Sequence, residues 1–194
     1  MDWLSTRGNS GKLVANICKL CEQTDVPIHA LDEVWVGCGP GQYAGLRISV
    51  TVAQSIQLPS RGKVRGICSA HALLMEMHLT YPQAPAIAVC GDARRNHVWL
   101  YRWTPETAAS APPDMQCIPI EALADESMPA GCIVASPDYE RLYDRLKLPA
   151  TATWIPGNQT PTVPSIIQLT QSFTDVFTHP QVHYVHPPVT MMPR

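Results

Sequence analysis

Charge is scarce in this sequence. Asp, Glu, Lys and Arg make up 15% of 194 residues, and the formal net charge is −2. Near-neutrality excludes nucleic-acid binding driven by a basic surface alone, though not membership of a larger RNA-modifying assembly. Long apolar runs are missing too, and none reaches the roughly 18 to 20 residues of a membrane span. The opening residues, Met1-Asp2-Trp3-Leu4-Ser5, lack the basic stretch and apolar segment of a secretory signal. These absences predict a soluble, cytoplasmic protein with no membrane partner. Proline is rare at first: residues 1–81 contain only Pro27, Pro40 and Pro59 of the 19 in the chain. Proline removes a backbone donor and interrupts helices and central strands. Two domains are therefore expected, a regular one over 1–81 and a proline-rich one of short elements over 82–194.

Apolar residues are plentiful at 45%, enough for a real core. The 7 cysteines are an odd number in a chain too long to need disulfide staples, so reduced thiols are expected. Cys90 and Cys132 lie in apolar runs and read as core. Cys18 and Cys21 form a single Cys-x-x-Cys within a helical pattern; without a second pair it reads as core packing rather than zinc or redox chemistry.

Apolar spacing predicts a helix over 10–24, with Leu13 and Ile17 on its apolar side. A strand over 33–37 and a helix over 44–58 follow. The second helix carries Leu46, Ile48, Val50, Val52, Ala53 and Ile56 across an arc of roughly 200° at 100° per residue. One sheet face does not cover so wide an arc. Leu13, Ile17, Ile48, Val52 and Ile56 are therefore candidate interface residues, and a homodimer is expected when no other partner is present. A strand over 64–68 precedes a helix capped by Ser69. Strand-helix alternation implies parallel pairing with crossover helices. Ala86–Cys90, a turn at Gly91–Asn96 and His97–Trp103 then read as a β-hairpin. Thr104 to Pro113 reads as a loop. A strand at Cys132–Ala135, a helix opened by Ser136 and Pro137, a strand near 152–155 and a helix near 165–177 complete an α/β chain.

The richest motif is Gly37-Cys38-Gly39-Pro40-Gly41-Gln42-Tyr43-Ala44-Gly45-Leu46-Arg47. A strand, a glycine-rich turn and a helix N-terminus form a candidate anion site, or simply a tight connection. It fits neither the dinucleotide fingerprint nor the P-loop. Gly39, Pro40, Gly41, Gly45 and Arg47 are its candidate anion or partner residues. Asp92, Arg94 and Arg95 mark the hairpin as a second candidate, with either a structural or an anion-contacting role. Arg61, Lys63 and Arg65, and the trio Arg94, Arg95 and Arg102, are local basic clusters that read as solvated faces. His71 and His78 lie two helical turns apart, too few ligands for a tight metal. His179, His183 and His186 read as exposed.

The series Gly39-Pro40-Gly41-x-x-x-Gly45-Leu46-Arg47, Gly66-Ile67-Cys68-Ser69 and Asp92-Ala93-Arg94-Arg95-Asn96-His97-Val98 resembles the bacterial TsaB (YeaZ) family. Residues 10–103 carry the likeness, with a weak echo at Val182-His183-Tyr184-Val185. The resemblance implies an actin-like, ribonuclease-H-like fold of two α/β lobes, shared with the catalytic paralogue TsaD. It implies a non-catalytic scaffold for tRNA N6-threonylcarbamoyladenosine formation, with a TsaD-like catalytic subunit and a TsaE-like ATPase as partners and tRNA reached only through the complex. It also implies no cofactor beyond weak nucleotide binding at a partner interface. Family members start with a further hairpin, so the first lobe is expected to be truncated, beginning near Trp3-Leu4-Ser5. Ser69 and Leu73 occupy the paralogue's two metal-binding histidine positions, so no metal is expected. No Gly-x-Ser-x-Gly elbow or His-Glu-x-x-His helix supports the peptidase label that the family often carries, and no catalytic residue is assigned. An actin-like ATP-binding enzyme is the other alternative; bulky residues after Asp92 stand where that superfamily has small glycines.

Overall fold

The computed structural model describes residues 11–104, 114–173, 176–182 and 184–185. The expected N-terminal strand, nearly all of the 104–113 loop, and His183 and His186 lie outside these. Described in chain order are α1 (Lys12–Thr24), β1 (Glu33–Gly37), α2 (Tyr43–Gln57), β2 (Lys63–Ile67) and α3 (Ser69–Thr80). Then come β3 (Ile87–Arg94), β4 (His97–Trp103), β5 (Gln116–Pro119), β6 (Cys132–Ala135), α4 (Tyr139–Leu142), β7 (Ala152–Trp154), α5 (Val163–Ser172) and β8 (Phe177–Thr178). They divide into two compact units, Met1–Cys38 with Gln42–Ile67 and Phe177–Val182, and Gly39–Gly41 with Cys68–Val176 and His183–Arg194. The division therefore falls before α3 rather than after residue 81. Packing explains this: α3 buries Ala70, Leu73, Leu74 and Met77 against side chains of β3 and β4.

The first unit holds a sheet of order β1-β2-β8, with β1 and β2 parallel and β8 antiparallel to β2. Helix α2 is the crossover between the parallel pair, as the alternation predicted. Val50 and Ala53 face Val36 and Cys38 in its small core. Buried Gln57 donates through Nε2 to the Leu31 carbonyl at 3.0 Å, anchoring the end of α2. The expected helix over 165–177 is displaced. Thr162 and Ser165 form a capping box with proline in the first turn, which starts α5 early, and Phe173 leaves it with φ −133 and ψ 121. Phe177 is thus free to join β8.

The second unit is a sheet of order β5-β4-β3-β6-β7, with β3, β6 and β7 parallel. Strand β3 is buried on both faces, so the period-2 alternation of side chains feeds two separate cores. Ala88, Cys90, Val98, Leu100, Cys132 and Val134 point to one, with Leu123 and Leu142. Ile87, Val89, Trp99, Tyr101 and Trp103 point to the other, beneath α3. The expected hairpin turn at 91–96 shrinks to Arg95-Asn96. Arg94, Arg95 and Asn96 adopt φ 70, 50 and 60, the left-handed twist that two-residue hairpins require. A register shift between Asp92 and Arg94 marks a bulge before the turn. Two caps also differ from expectation. Cys68, not Ser69, is the N-cap of α3, and the helix after Ser136 is the single turn α4, with Asp138 N–H donating to Ser136 Oγ at 3.0 Å.

Gly91 pairs with Trp99 across the hairpin. A Cβ there would fall 2.3 Å from Trp99 Cζ2 and 2.5 Å from Cε2, atoms of a rigid buried ring. Gly91→Ala should therefore destabilise the protein by about 1–3 kcal/mol through overpacking, read as a lowered thermal midpoint.

Candidate functional site

The first candidate begins where β1 ends. Cys38 is fully buried, and its N–H donates to the Ile67 carbonyl at 2.8 Å, fixing the chain beside β2. Gly39 takes φ 112 and precedes a cis bond to Pro40, a conformation that L side chains resist. Its carbonyl accepts from Ser69 N–H at 2.8 Å. Gly39 and Pro40 are buried, whereas Gly41 is exposed. Gly39 and Pro40 therefore make a structural connection, one of the two roles their pattern allowed.

Beyond it, the first turn of α2 is open. Tyr43, Ala44, Gly45 and Arg47 are exposed, and no side chain caps the helix start. Arg47 donates from Nη1 to Tyr43 Oη at 2.8 Å, with its guanidinium carbon 5.3 Å from the ring centroid. The positive end of a helix beside an arginine suits a negatively charged group. Gly45 has a different meaning. A Cβ added there would meet nothing within 4 Å among the described residues. Glycine at a helical position costs roughly 0.5–1 kcal/mol relative to alanine, and no packing among the described residues asks for it.

The helix faces follow. Val50 and Ala53 of α2 are buried, while Ile48, Val52 and Ile56 are half-buried. Helix α1 buries none of its residues: Leu13 and Ile17 are half-buried, with Val14 at 51% and Leu20 at 41% exposure. Cys18 is exposed and Cys21 half-buried. This corrects the core reading of Cys18 and Cys21, because α1 belongs to no core among the described residues. Cys90 and Cys132, by contrast, lie in one.

The hairpin motif forms an ion network. Asp92, its side chain 7% exposed, accepts from Arg94 N–H at 2.8 Å, Arg94 Nη1 at 3.2 Å and Arg141 Nη2 at 2.7 Å. Its own N–H donates to Asp138 Oδ2 at 3.0 Å. Arg141 also approaches Asp138 at 3.6 Å. Two carboxylates thus face two guanidiniums, and the charge closes on itself. Asp138 also bears on the core: burial, then the charge of Asp138, pushes the Cys90 thiol up to about 12. The sequence reading missed Asp138 and Arg141. The clue was the Ser136-Pro137-Asp138 turn, which aims α4 at the hairpin. Arg95 is exposed and does not join the network.

The basic clusters are partly used up. Arg65 pairs with Glu33 and lies over Phe177, its guanidinium carbon 4.6 Å from the ring centroid. Arg102 donates to Glu126 at 2.7 Å and to Gln116 at 2.6 Å. His71 and His78 do share a face, one that packs on aromatic rings. Their rings meet Tyr101 and Trp103 edge-on, at 5.1 and 4.4 Å between centroids. His179 is exposed. Ser69 opens α3 and Leu73 is a buried core residue. Among the described residues, no group of three or more His, Cys, Asp and Glu could hold a metal ion. No helix there is long and apolar enough to cross a membrane.

The two sheets and their motif order define an actin-like, ribonuclease-H-like α/β protein with a TsaB-like fold. YeaZ from Pseudomonas aeruginosa superposes with a TM-score of 0.67 at 18% identity, over 87% of this chain and 78% of that one. A second solved structure, an uncharacterized protein with similarity to peptidase YeaZ from Pseudomonas aeruginosa, gives a TM-score of 0.65 at 18% identity, over 85% and 76%. The family described as TsaD, tRNA N6-adenosine threonylcarbamoyltransferase, matches residues 4–184, and the chain belongs to that family. An uncharacterized protein of Mycobacterium leprae is 29% identical over 92 residues. That match spans 47% of this chain but only 24% of the mycobacterial protein.

Asp92→Ala removes the acceptor that holds the bulge before the left-handed turn. Its arginine pairs are half-exposed and screened, so the turn hydrogen bond carries most of the effect. Asp92→Ala should cost about 1–2 kcal/mol, and Arg141→Ala less than about 1 kcal/mol, in urea unfolding followed by tryptophan fluorescence.

Proposed function

We propose that this chain is a non-catalytic scaffold subunit for the N6-threonylcarbamoyladenosine modification of tRNA. It docks on a TsaD-like catalytic subunit, works with a TsaE-like ATPase, meets tRNA only through the complex, and acts in the cytoplasm. Alone, it pairs with a second copy of itself. Family membership supplies the pathway, and one observation carries the scaffold role. Helix α1 presents apolar side chains yet buries none of them, and the next helix of the same unit, α2, keeps Ile48, Val52 and Ile56 only half-buried. Apolar surface of this kind gains about 25 cal/mol per Å² when covered.

Residue chemistry supports the non-catalytic part. Leu73 offers no ligand atom where the catalytic paralogue uses histidine. Asp92 is committed to a turn N–H and two arginines, which disfavours the actin-like ATP-binding alternative. The peptidase alternative rests on the label of a structural neighbour at 18% identity. In this reading the chain keeps no cofactor of its own. The open start of α2, with Gly41, Gly45 and Arg47, is the contact for a partner or for an anion, such as a nucleotide phosphate, held weakly at the interface.

Co-expression with the TsaD-like protein of the same cell, followed by sedimentation velocity, tests the reading. The expected results are a complex with the catalytic subunit and a dimer of the isolated chain at micromolar concentration. Ile17→Glu sits on a helix with no buried residue, so the fold should survive while association weakens at least about tenfold from burying an unpaired charge. Gly45→Ala should stabilise the isolated chain by about 0.5–1 kcal/mol and yet weaken the complex. A monomer that ignores the TsaD-like protein would overturn the proposal.

A further inference from the structure

One cluster in the second unit has no part in the candidate site described above. Cys68 is the N-cap of α3, with φ −68 and ψ 116, so it precedes N–H groups that lack intrahelical partners. Such a position favours a negative charge. Cys68 Sγ lies 3.6 Å from Tyr101 Oη. One turn into α3, the His71 ring stands edge-on to the Tyr101 ring, at 5.1 Å and 87°. Helix and strand thus converge a thiol, an imidazole and a phenol. Cys68 and His71 are both half-buried, so neither is sealed inside the core.

Their electrostatics agree with the geometry. Burial alone would raise the Cys68 thiol pKa. The hydrogen bond and charge of His71, then the Tyr101 hydroxyl, more than reverse this and hold it below the ordinary value. Tyr101 moves the other way. Burial, then the charge of Cys68 and that of Asp114 ahead of β5, push its phenol up, so it stays protonated and able to donate. Two buried thiols move the opposite way: burial pushes Cys90 up to about 12 and Cys132 to about 11. Cys117 is also raised by burial.

We propose that Cys68, with His71 as its proton acceptor and Tyr101 as its hydrogen-bond donor, is a nucleophilic thiol that reacts with hydroperoxides. The proton moves from Sγ to the His71 imidazole. The thiolate then attacks one oxygen of the peroxide, forming an S–O bond as the O–O bond breaks. Sulfur is oxidised by two electrons to the sulfenic acid, and the departing hydroxide takes the proton from His71 and leaves as water. The reaction belongs to the first, reversible stage of cysteine oxidation.

The test exposes the folded full-length chain to hydrogen peroxide at about pH 6.5, where an ordinary thiol is only about 1% thiolate. Dimedone traps sulfenic acid, and peptide mass spectrometry gives a rate for each cysteine. Cys68 should react about tenfold faster than the exposed Cys18 and Cys117, which serve as references within the same chain. His71→Gln should lower the Cys68 rate about tenfold and leave that of Cys18 unchanged; Tyr101→Phe should lower it less. A Cys68 rate no higher than the references would overturn the proposal, as would an unchanged rate in folded His71→Gln. Should that variant unfold, Cys90 and Cys132 become reactive, and the pH profile of the unmodified chain decides. A half-maximal rate for Cys68 at lower pH than for Cys18 supports the proposal, and one at equal or higher pH refutes it.

Discussion

Close approach of Trp99 to the backbone at Gly91 sets the geometry of the second unit. The indole lies where a side chain on Gly91 would stand, which lets the hairpin place large rings under α3 without spreading its strands. Everything beside it follows from that pairing. Register between β3 and β4 sends Trp99, Tyr101 and Trp103 to the α3 face and Val98 and Leu100 to the opposite core. A slip of one residue would exchange the two faces. The two-residue turn and the Asp92 network hold that register at its turn end, with Asp138 from the cap of α4 and Arg141 from the helix itself.

The same placement gives α3 two roles. Its buried residues, Leu73 among them, lock it to the hairpin. Its first turn remains half-buried, and there Cys68, His71 and Tyr101 meet. Glu76, further along, accepts from Thr162 N–H at 3.1 Å and from Thr162 Oγ1 at 2.5 Å, which ties the start of α5 to α3. One helix thus connects the hairpin core, the α5 cap and the thiol cluster.

The first unit obeys a different economy of burial. Its core is small, built on Val36, Cys38, Val50 and Ala53, and α1 adds nothing to it. A helix of 13 residues is marginal in isolation, so contacts outside the described core are the natural source of its stability. The exposed Gly45 points the same way, since it weakens α2 with no packing among the described residues to require it. Both features are what the proposed scaffold role calls for.

Local chemistry in the sequence was enough to read most elements. Gly37 ends β1, alternating aromatics define β4, and helical spacing marks α1 and α2. The motif order Gly39-Pro40-Gly41, Gly66-Ile67-Cys68-Ser69 and Asp92-Ala93-Arg94-Arg95 was enough to point to the family. The remaining features depend on residues far apart in the chain. Phe177 looked helical because its apolar spacing continues that of α5, and only pairing with β2 makes it a strand. Cys68 read only as the end of a short strand ahead of a serine cap. Its partners, His71 one turn ahead and Tyr101 on another element, acquire meaning only once α3 lies across β4. Asp92 kept two readings open until Arg141, 49 residues away, closed on its carboxylate. Periodicity reports what each segment buries, whereas charge pairing and thiol chemistry depend on which segments the fold brings within a few ångströms.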